Sequence, residues 1–435
     1  MNWQDHIRTH TVTADRAAEY VQSGDRVVLG DAAGTPELLT EAMVARAGEL
    51  RDVEIVHMVA LDACSYCLPE YAESFRLNGV YVSGPNRTAV AEGRAEYTPI
   101  FYSQIPVLMR YPDFPIDVAM ITVSPPDAQG RLSLGVSVNY TMQAALSART
   151  TIAVVNTNMP YISGEALLDA DKIDAFVFAD PDLLESKPLA IGETERAIGN
   201  HIAELIPDEA CLQLGIGGIP DAVLSALGDK KNLGIHSEMI SDGVMLLAEK
   251  GVITGSAKTL HKDKITITFA MGTKAFYRWL DHNPMVEAYP VDYLNDPRII
   301  GSNDKLVSIN SALSVDLLGQ VAADTIGGRQ FSGVGGQVDF VRGARFSKNG
   351  FSVIAMPSRA VKDTVSRICG TFAPGQAVTT TRNDVDYIVT EYGVAYLWGK
   401  TTNQRASALI AIAAPEFREQ LAKEARDVYG FRVNL

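Results

Sequence analysis

Four cysteines in 435 residues are too few and too scattered for a disulfide framework. Cys64 and Cys67 form a lone CxxC in DACSYCLPEY, without a second pair or a histidine pair to complete a zinc site, so no metal ligand is expected. Cys211 and Cys369 lie in apolar segments and read as core residues. Basic residues are also scarce, 38 against 52 acidic ones, for a net charge of −14. Nucleic acid and anionic membranes need clustered Lys and Arg, so neither is an expected partner. A small anion needs only a local basic or backbone-amide site and is not excluded. Long apolar runs are absent too. Ala408–Ala414 falls far short of the ~20 residues that span a bilayer. The stretch MNWQDHIRTHTVTADRAAEY has no apolar core of a signal peptide, which points to the cytoplasm.

What the chain does have is hydrophobic residues, 47% of the total, enough to build large packed cores. At ~100–200 residues per domain, its length predicts two to three domains. Continuous β-rich apolar runs occur at Arg26–Leu29, Val53–Leu61, Val118–Val123, Ile152–Val155, Ile265–Ala270, Val307–Asn310, Val353–Met356 and Tyr387–Thr390. Helical patterns alternate with them, at Pro36–Leu50, Met142–Ala148, Glu193–Ile206, Pro220–Leu227, Val244–Lys250 and Pro415–Tyr429. Uninterrupted apolar strands between amphipathic helices indicate α/β architecture, with open parallel sheets covered on both faces. A weak repeat adds detail. GDRVVLGDAAGTPELLTEAM (Gly24–Met43) parallels DEACLQLGIGGIPDAVLSAL (Asp208–Leu227), and a short strand follows each. Two related domains in tandem are therefore expected, residues 1–187 and 188–435, parting where LLESKPLAI interrupts the pattern.

The second copy holds the most distinctive chemistry. Gly215, Gly217 and Gly218 make a tight turn after a buried strand, and a helix follows with Pro220 in its first turn. Glu238 stands 23 residues after Gly215, at the carboxyl end of the next short strand. Ligands of open α/β sheets bind outside the carboxyl ends of the strands, so adjacent parallel strands would bring turn and carboxylate to one rim. Backbone amides in such a turn can hold a phosphate, a carboxylate or an oxyanion. A dinucleotide site is the rival reading, but Pro220 stands where GxGxxG requires its third glycine. Glu391, in TEYG, is a second acid and is expected to serve as a hydrogen-bond acceptor. The first copy has His57 and Met58 near the place corresponding to Glu238, so chemistry is expected mainly in the second domain.

Four segments together are more specific than any one: GIHSEMISDGV (Gly234–Val244), FSGVGGQVDFVRGA (Phe331–Ala344), DYIVTEYGVAYLWGK (Asp386–Lys400) and VSPPDAQGRLSLGVS (Val123–Ser137). They resemble the acetyl-CoA hydrolase/transferase group of family I CoA-transferases, in particular its 4-hydroxybutyrate and butyryl-CoA:acetate CoA-transferases. The resemblance implies two CoA-transferase-like α/β domains and a ping-pong transfer of CoA between a short-chain acyl-CoA and a free carboxylate. It implies Glu238 as covalent nucleophile. It also assigns CoA contacts to Gly215, Ile216, Gly217, Gly218 and Ile219, and main-chain contacts to Leu313 and Gly336. Coenzyme A is then a co-substrate, with no permanent cofactor or metal, and the assembly is a homodimer or homotetramer. Acyl-CoA hydrolysis and mere acyl-CoA binding stay open beside transfer. The family's lysine after a Pro-Ser pair falls here on Val361, in MPSRAVKDTVSRI, leaving Lys362 or Arg359 as substitutes.

Overall fold

The computed structural model describes residues 2–433. Seven strands are laid down in the first part of the chain: β1 Arg26–Leu29, β2 Val53–His57, β3 Phe75–Gly79, β4 Ala95–Tyr97, β5 Val118–Val123, β6 Thr150–Val155 and β7 Ala175–Phe178. Their order in the sheet is β7-β6-β5-β1-β2-β3-β4, and every pairing is parallel. Parallel strands must be joined by crossovers that cover the sheet, which is why the central strands β1, β5 and β6 are buried along nearly their whole length. Val27, Leu29, Ile55, Val118, Met120 and Ile152 form the centre of one hydrophobic core. Helix α1 (Glu37–Ala45) packs Leu39 and Met43 into it, both fully buried, at ~1.5–3 kcal/mol apiece.

A second sheet contains β8 Cys211–Gln213, β9 Gly234–His236, β10 Leu306–Ser311, β11 Phe351–Ala355, β12 Tyr387–Thr390 and β13 Gly393–Tyr396. The order runs β13-β12-β11-β10-β8-β9, parallel except for the β12–β13 hairpin. Its helices include α2 (Glu193–Leu205), α3 (Gly218–Ala226), α4 (Asp242–Glu249), α5 (Gln337–Phe346), α6 (Thr402–Ala411) and α7 (Pro415–Tyr429). Proline opens α7, whose missing N–H costs nothing there, and Leu421, Ala422 and Ala425 form its buried stripe. The core gathers Val341, Ile354, Ile388, Leu409 and Leu421.

The internal repeat is written in these orders. β5-β1-β2 in one sheet corresponds to β10-β8-β9 in the other, with β6 and β7 matched by β11 and β12. In each, the strand before the glycine turn lies parallel and adjacent to the strand after the helix.

The chain parts into two units. The first gathers the residues up to Lys187 together with Thr266–Leu294, and the second Pro188–Ile265 together with the residues from Asn295 onward. The excursion of Thr266–Leu294 is absent from a simple division at 187/188. It is held within the first unit by a parallel pairing of Glu287 and Ala288 with Ser163 and Gly164. Two apolar runs end earlier than expected as strands. Val53–Leu61 stays in the sheet only to His57, and the remainder forms a loop. Ile265–Ala270 breaks at Thr268, whose carbonyl instead accepts the N–H groups of Val138 (3.1 Å) and Asn139 (3.2 Å).

Candidate active site

The adjacency expected of the glycine turn and Glu238 is present in the second unit. β8 and β9 pair in parallel, Cys211 with Gly234 and Leu212 with Ile235, so both chains leave the sheet at the same edge. The buried Ser237 hydroxyl ties the two exits together. It accepts the Leu214 N–H at 3.2 Å and lies 3.0 Å from Leu214 O and 2.7 Å from Met239 O. On the other side of β8, Gln213 Oε1 accepts hydrogen bonds from Ser308 Oγ (2.8 Å) and Asn310 Nδ2 (3.1 Å). These side chains fix where the backbone leaves the sheet, and so where the next residues stand.

In the turn itself, Gly217 has φ +112°, ψ −179°, a conformation costly for any residue with a Cβ. Gly215 has no such constraint, and a Cβ added there would meet nothing within 4 Å. Its backbone faces open space, where a ligand can come close to the amides. Ile216 is exposed, and Ile219 is buried in the first turn of α3.

Glu238 is half-buried directly after β9. Its Oε2 accepts a hydrogen bond from Asn295 Nδ2 at 2.8 Å. Gly336 packs against the same oxygen, close enough that an added Cβ would lie 1.9 Å from Glu238 Oε2 and 2.5 Å from Asn295 Nδ2. Gly336 is also the N-cap of α5, so the positive end of a ten-residue helix begins beside the carboxylate. Asn295 is fully buried, and its Oδ1 has no hydrogen-bond partner. Burying an unsatisfied amide oxygen costs ~1–3 kcal/mol, a cost proteins tolerate mostly where function needs the group. Sequence reasoning missed Asn295. It stands between two short helices, far along the chain from Glu238, with no local pattern to mark it.

The other expected positions divide. Gly336 joins Glu238. Leu313 follows β10, and its N–H is donated to Ala322 O at 2.9 Å, within a turn of the chain's own. Glu391, as expected, accepts hydrogen bonds, from Ser358 N (2.8 Å) and Ser358 Oγ (2.5 Å). Arg359 is fixed by a bidentate pair with Glu416, at 2.6 and 3.0 Å. Lys362 is exposed beside it, in a loop where Val361, Lys362 and Asp363 all have positive φ. No helix among the described residues is long and apolar enough to cross a membrane.

A parallel α/β sheet presenting a glycine turn and a carboxylate beside a helix N-terminus defines a class: open-sheet α/β proteins that bind ligands outside the carboxyl ends of their strands. Comparison with known proteins narrows it. Residues 2–185 match the acetyl-CoA hydrolase/transferase N-terminal domain, and residues 272–425 the C-terminal domain. The chain is 52% identical to the 4-hydroxybutyrate coenzyme A transferase of Clostridium kluyveri, over 98% of this chain and 99% of that one. Among solved structures, the 4-hydroxybutyrate CoA-transferase of Porphyromonas gingivalis superimposes with a TM-score of 0.85 at 41% identity, covering 98% of this chain and 100% of that one. RipA from Yersinia pestis superimposes at 0.93 with 35% identity, over 99% and 100%. Relatives at 38–52% identity carry CoA-transferase names, whereas proteins named acetyl-CoA hydrolase appear at 24–28%. The protein belongs to the acetyl-CoA hydrolase/transferase family.

Proposed function

We propose that this protein is an acyl-CoA:carboxylate CoA-transferase acting on short-chain substrates such as butyryl-, 4-hydroxybutyryl- or acetyl-CoA with acetate, and that Glu238 carries the CoA. The observation that supports this most directly is the Asn295–Glu238–Gly336 arrangement. It holds one carboxylate oxygen by a 2.8 Å hydrogen bond and a close backbone contact. A carboxylate with an ordinary pKa near ~4.3 is ionised at neutral pH and attacks without a general base.

Glu238 attacks the thioester carbonyl, and the tetrahedral intermediate collapses to a mixed acyl-glutamyl anhydride and CoA thiolate. The thiolate attacks the glutamyl carbonyl, forming a glutamyl-CoA thioester and expelling the first carboxylate. The incoming carboxylate attacks that thioester, releases the thiolate, and takes it back at its own acyl carbon as Glu238 leaves. Each bond broken is matched by one formed, and the thioester energy is retained. Gly215, Ile216, Gly217, Gly218 and Ile219 form the backbone cradle for CoA and the oxyanions, each donor worth ~3–4 kcal/mol in a dry site. Gly336 contributes its main chain beside Glu238. Leu313 is the weaker contact, because its N–H is already donated to Ala322. Of the two basic candidates Lys362 is the one to meet a CoA phosphate, since Arg359 is held by Glu416. The same proposal makes the protein a cytoplasmic homo-oligomer, which suits four unpaired cysteine thiols.

Two measurements test this reading. Acyl-CoA turnover should require added acetate, and turnover indifferent to acetate would make the protein a hydrolase. Borohydride after incubation with acyl-CoA should inactivate the protein by reducing its glutamyl thioester. Glu238→Ala should fold, bind CoA, resist that inactivation and transfer nothing.

A further inference from the structure

The loop after β2 in the first unit occupies the place in the repeat that Glu238 occupies in the second. It contains the CxxC that the sequence left without a role. Folding adds two donors that spacing alone does not reveal. His57, the last residue of β2 and fully buried, comes together with Asp62 and Cys64, and one ligand atom from each lies within 4.8 Å of the others. Cys64 Sγ stands 3.7 Å from Asp62 Oδ1, and Cys67, outside that group, is tied into the same short turn by its N–H donated to Cys64 O at 2.8 Å. Tyr66 Oη, also buried, bridges the group at 2.8 Å from His57 Nδ1 and 3.4 Å from Cys64 Sγ. Cys64 adopts a left-handed conformation, φ 47°, ψ 49°, which turns the chain sharply from Asp62 into the short helix Ser65–Cys67. A non-glycine residue held there carries strain, which the surrounding structure must enforce.

We infer that His57, Asp62, Cys64 and Cys67 form a binding site for a soft divalent cation, with zinc as the natural occupant. Two thiols, an imidazole and a carboxylate are the donor set of a four-coordinate zinc site, whereas magnesium and calcium take oxygen ligands. Ligand atoms around tetrahedral zinc stand roughly 3.5 Å apart, as follows from bond lengths of ~2.0–2.3 Å. The Asp62–Cys64 separation already meets that spacing, His57 offers its nitrogen within 4.8 Å, and the Cys67 thiol must swing in to complete the set. Binding replaces the two thiol protons by the cation and releases them to solvent. Tyr66 stays as the outer partner, its hydroxyl donating to a thiolate. All four ligands come from one segment of eleven residues, so the site closes locally on a single loop. A redox-active CxxC needs only the two sulfurs. The converging nitrogen and oxygen donors favour a metal.

The test uses the full chain, stripped with a chelator, reduced with a phosphine and titrated with Co²⁺. One equivalent should produce thiolate-to-cobalt charge-transfer absorption in the near ultraviolet and intense tetrahedral bands in the visible, and Zn²⁺ should abolish both. Cys64→Ser and Cys67→Ser should each remove the thiolate signature or weaken binding by more than the ~10–100-fold that losing an outer partner costs. The double variant Cys211→Ser/Cys369→Ser should retain it. Asp62 is only half-buried, so Asp62→Asn provides a folded variant should the Cys64 change disrupt the loop. It should keep the thiolate band and bind more weakly. The inference is overturned if wild-type protein gives no thiolate–cobalt band while both thiols titrate free. It is equally overturned if Cys64 and Cys67 are found as a disulfide that excludes metal, or if the band survives both cysteine substitutions.

Discussion

Gly336→Ala separates site geometry from folding more cleanly than any other single change. Gly336 has φ −91°, ψ 3°, which alanine adopts without strain, and it caps α5 without a side-chain hydrogen bond of its own. The backbone therefore loses little. The added methyl, however, would stand 1.9 Å from Glu238 Oε2 and 2.5 Å from Asn295 Nδ2, where a carbon–oxygen contact needs at least ~3.2 Å. The carboxylate must retreat by about 1.3 Å, and a displacement of ~1 Å at a reacting group costs on the order of 10²-fold in rate. That corresponds to ~2.7 kcal/mol of transition-state stabilisation. The 2.8 Å hydrogen bond from Asn295 is broken by the same movement. Steady-state transfer from butyryl-CoA to acetate should show kcat reduced about a hundredfold with KM for acyl-CoA little changed, while the thermal midpoint stays within about 1 °C of wild type, the equivalent of ~1 kcal/mol at this size. A variant that folds normally and retains more than about a third of wild-type kcat would refute the reasoning, because Gly336 would then not confine the carboxylate.

Asn295→Ala should reduce kcat by about ten- to a hundredfold, since a hydrogen bond to a charged group is worth ~1.5–3 kcal/mol, while stability changes little because the unsatisfied Oδ1 leaves together with Nδ2. Asn295→Asp, which sets a second carboxylate against Glu238, should be worse than alanine in a kcat comparison at pH 7. Lys362→Ala should raise KM for acyl-CoA several-fold with kcat intact and reduce its dependence on salt, and an unchanged KM would remove Lys362 from the CoA site. Asp31 is fully buried, and that burial pushes its pKa up to about 7, against the opposing hydrogen bonds from Val59 N–H and Tyr102. Its folded pKa lies above the unfolded value, so its contribution to stability is fully present below pH ~4 and is lost as pH rises to about 7, on the order of 4 kcal/mol in total. The stability of Asp31→Asn relative to wild type should improve across that window in denaturant titrations, and a difference independent of pH would exclude the shift.

The parts of this structure that were legible in the sequence share a physical cause. β1, β5, β12 and α7 fall on their expected bounds because buried strands and a proline-led amphipathic helix carry their signal locally. The repeat was visible for the same reason, and the matching strand orders follow from it. What stayed hidden depends on long-range closure. Val53–Leu61 is apolar apart from Glu54 and His57, but its second half is buried as loop, and hydrophobicity alone does not distinguish the two. Asn295 reaches Glu238 only through the fold. The CxxC looked isolated because its histidine partner lies upstream at the end of a strand, outside any familiar metal spacing. The left-handed turn at Cys64 that brings them together has no sequence mark.

Thr266–Leu294 also bears on how the chain is made. The first unit is discontinuous: Glu287 and Ala288 pair with Ser163 and Gly164, His282 N–H reaches Tyr161 O at 2.9 Å, and Val291 N–H reaches Asn139 O at 3.2 Å. During synthesis, then, the amino-terminal half cannot finish folding when its own 187 residues have emerged. It must wait until the ribosome has passed Glu238 and the segment beyond, so the two halves mature in overlapping order rather than one after the other. A nascent chain stalled near residue 190 should remain sensitive to protease, and one stalled well past residue 294 should resist it.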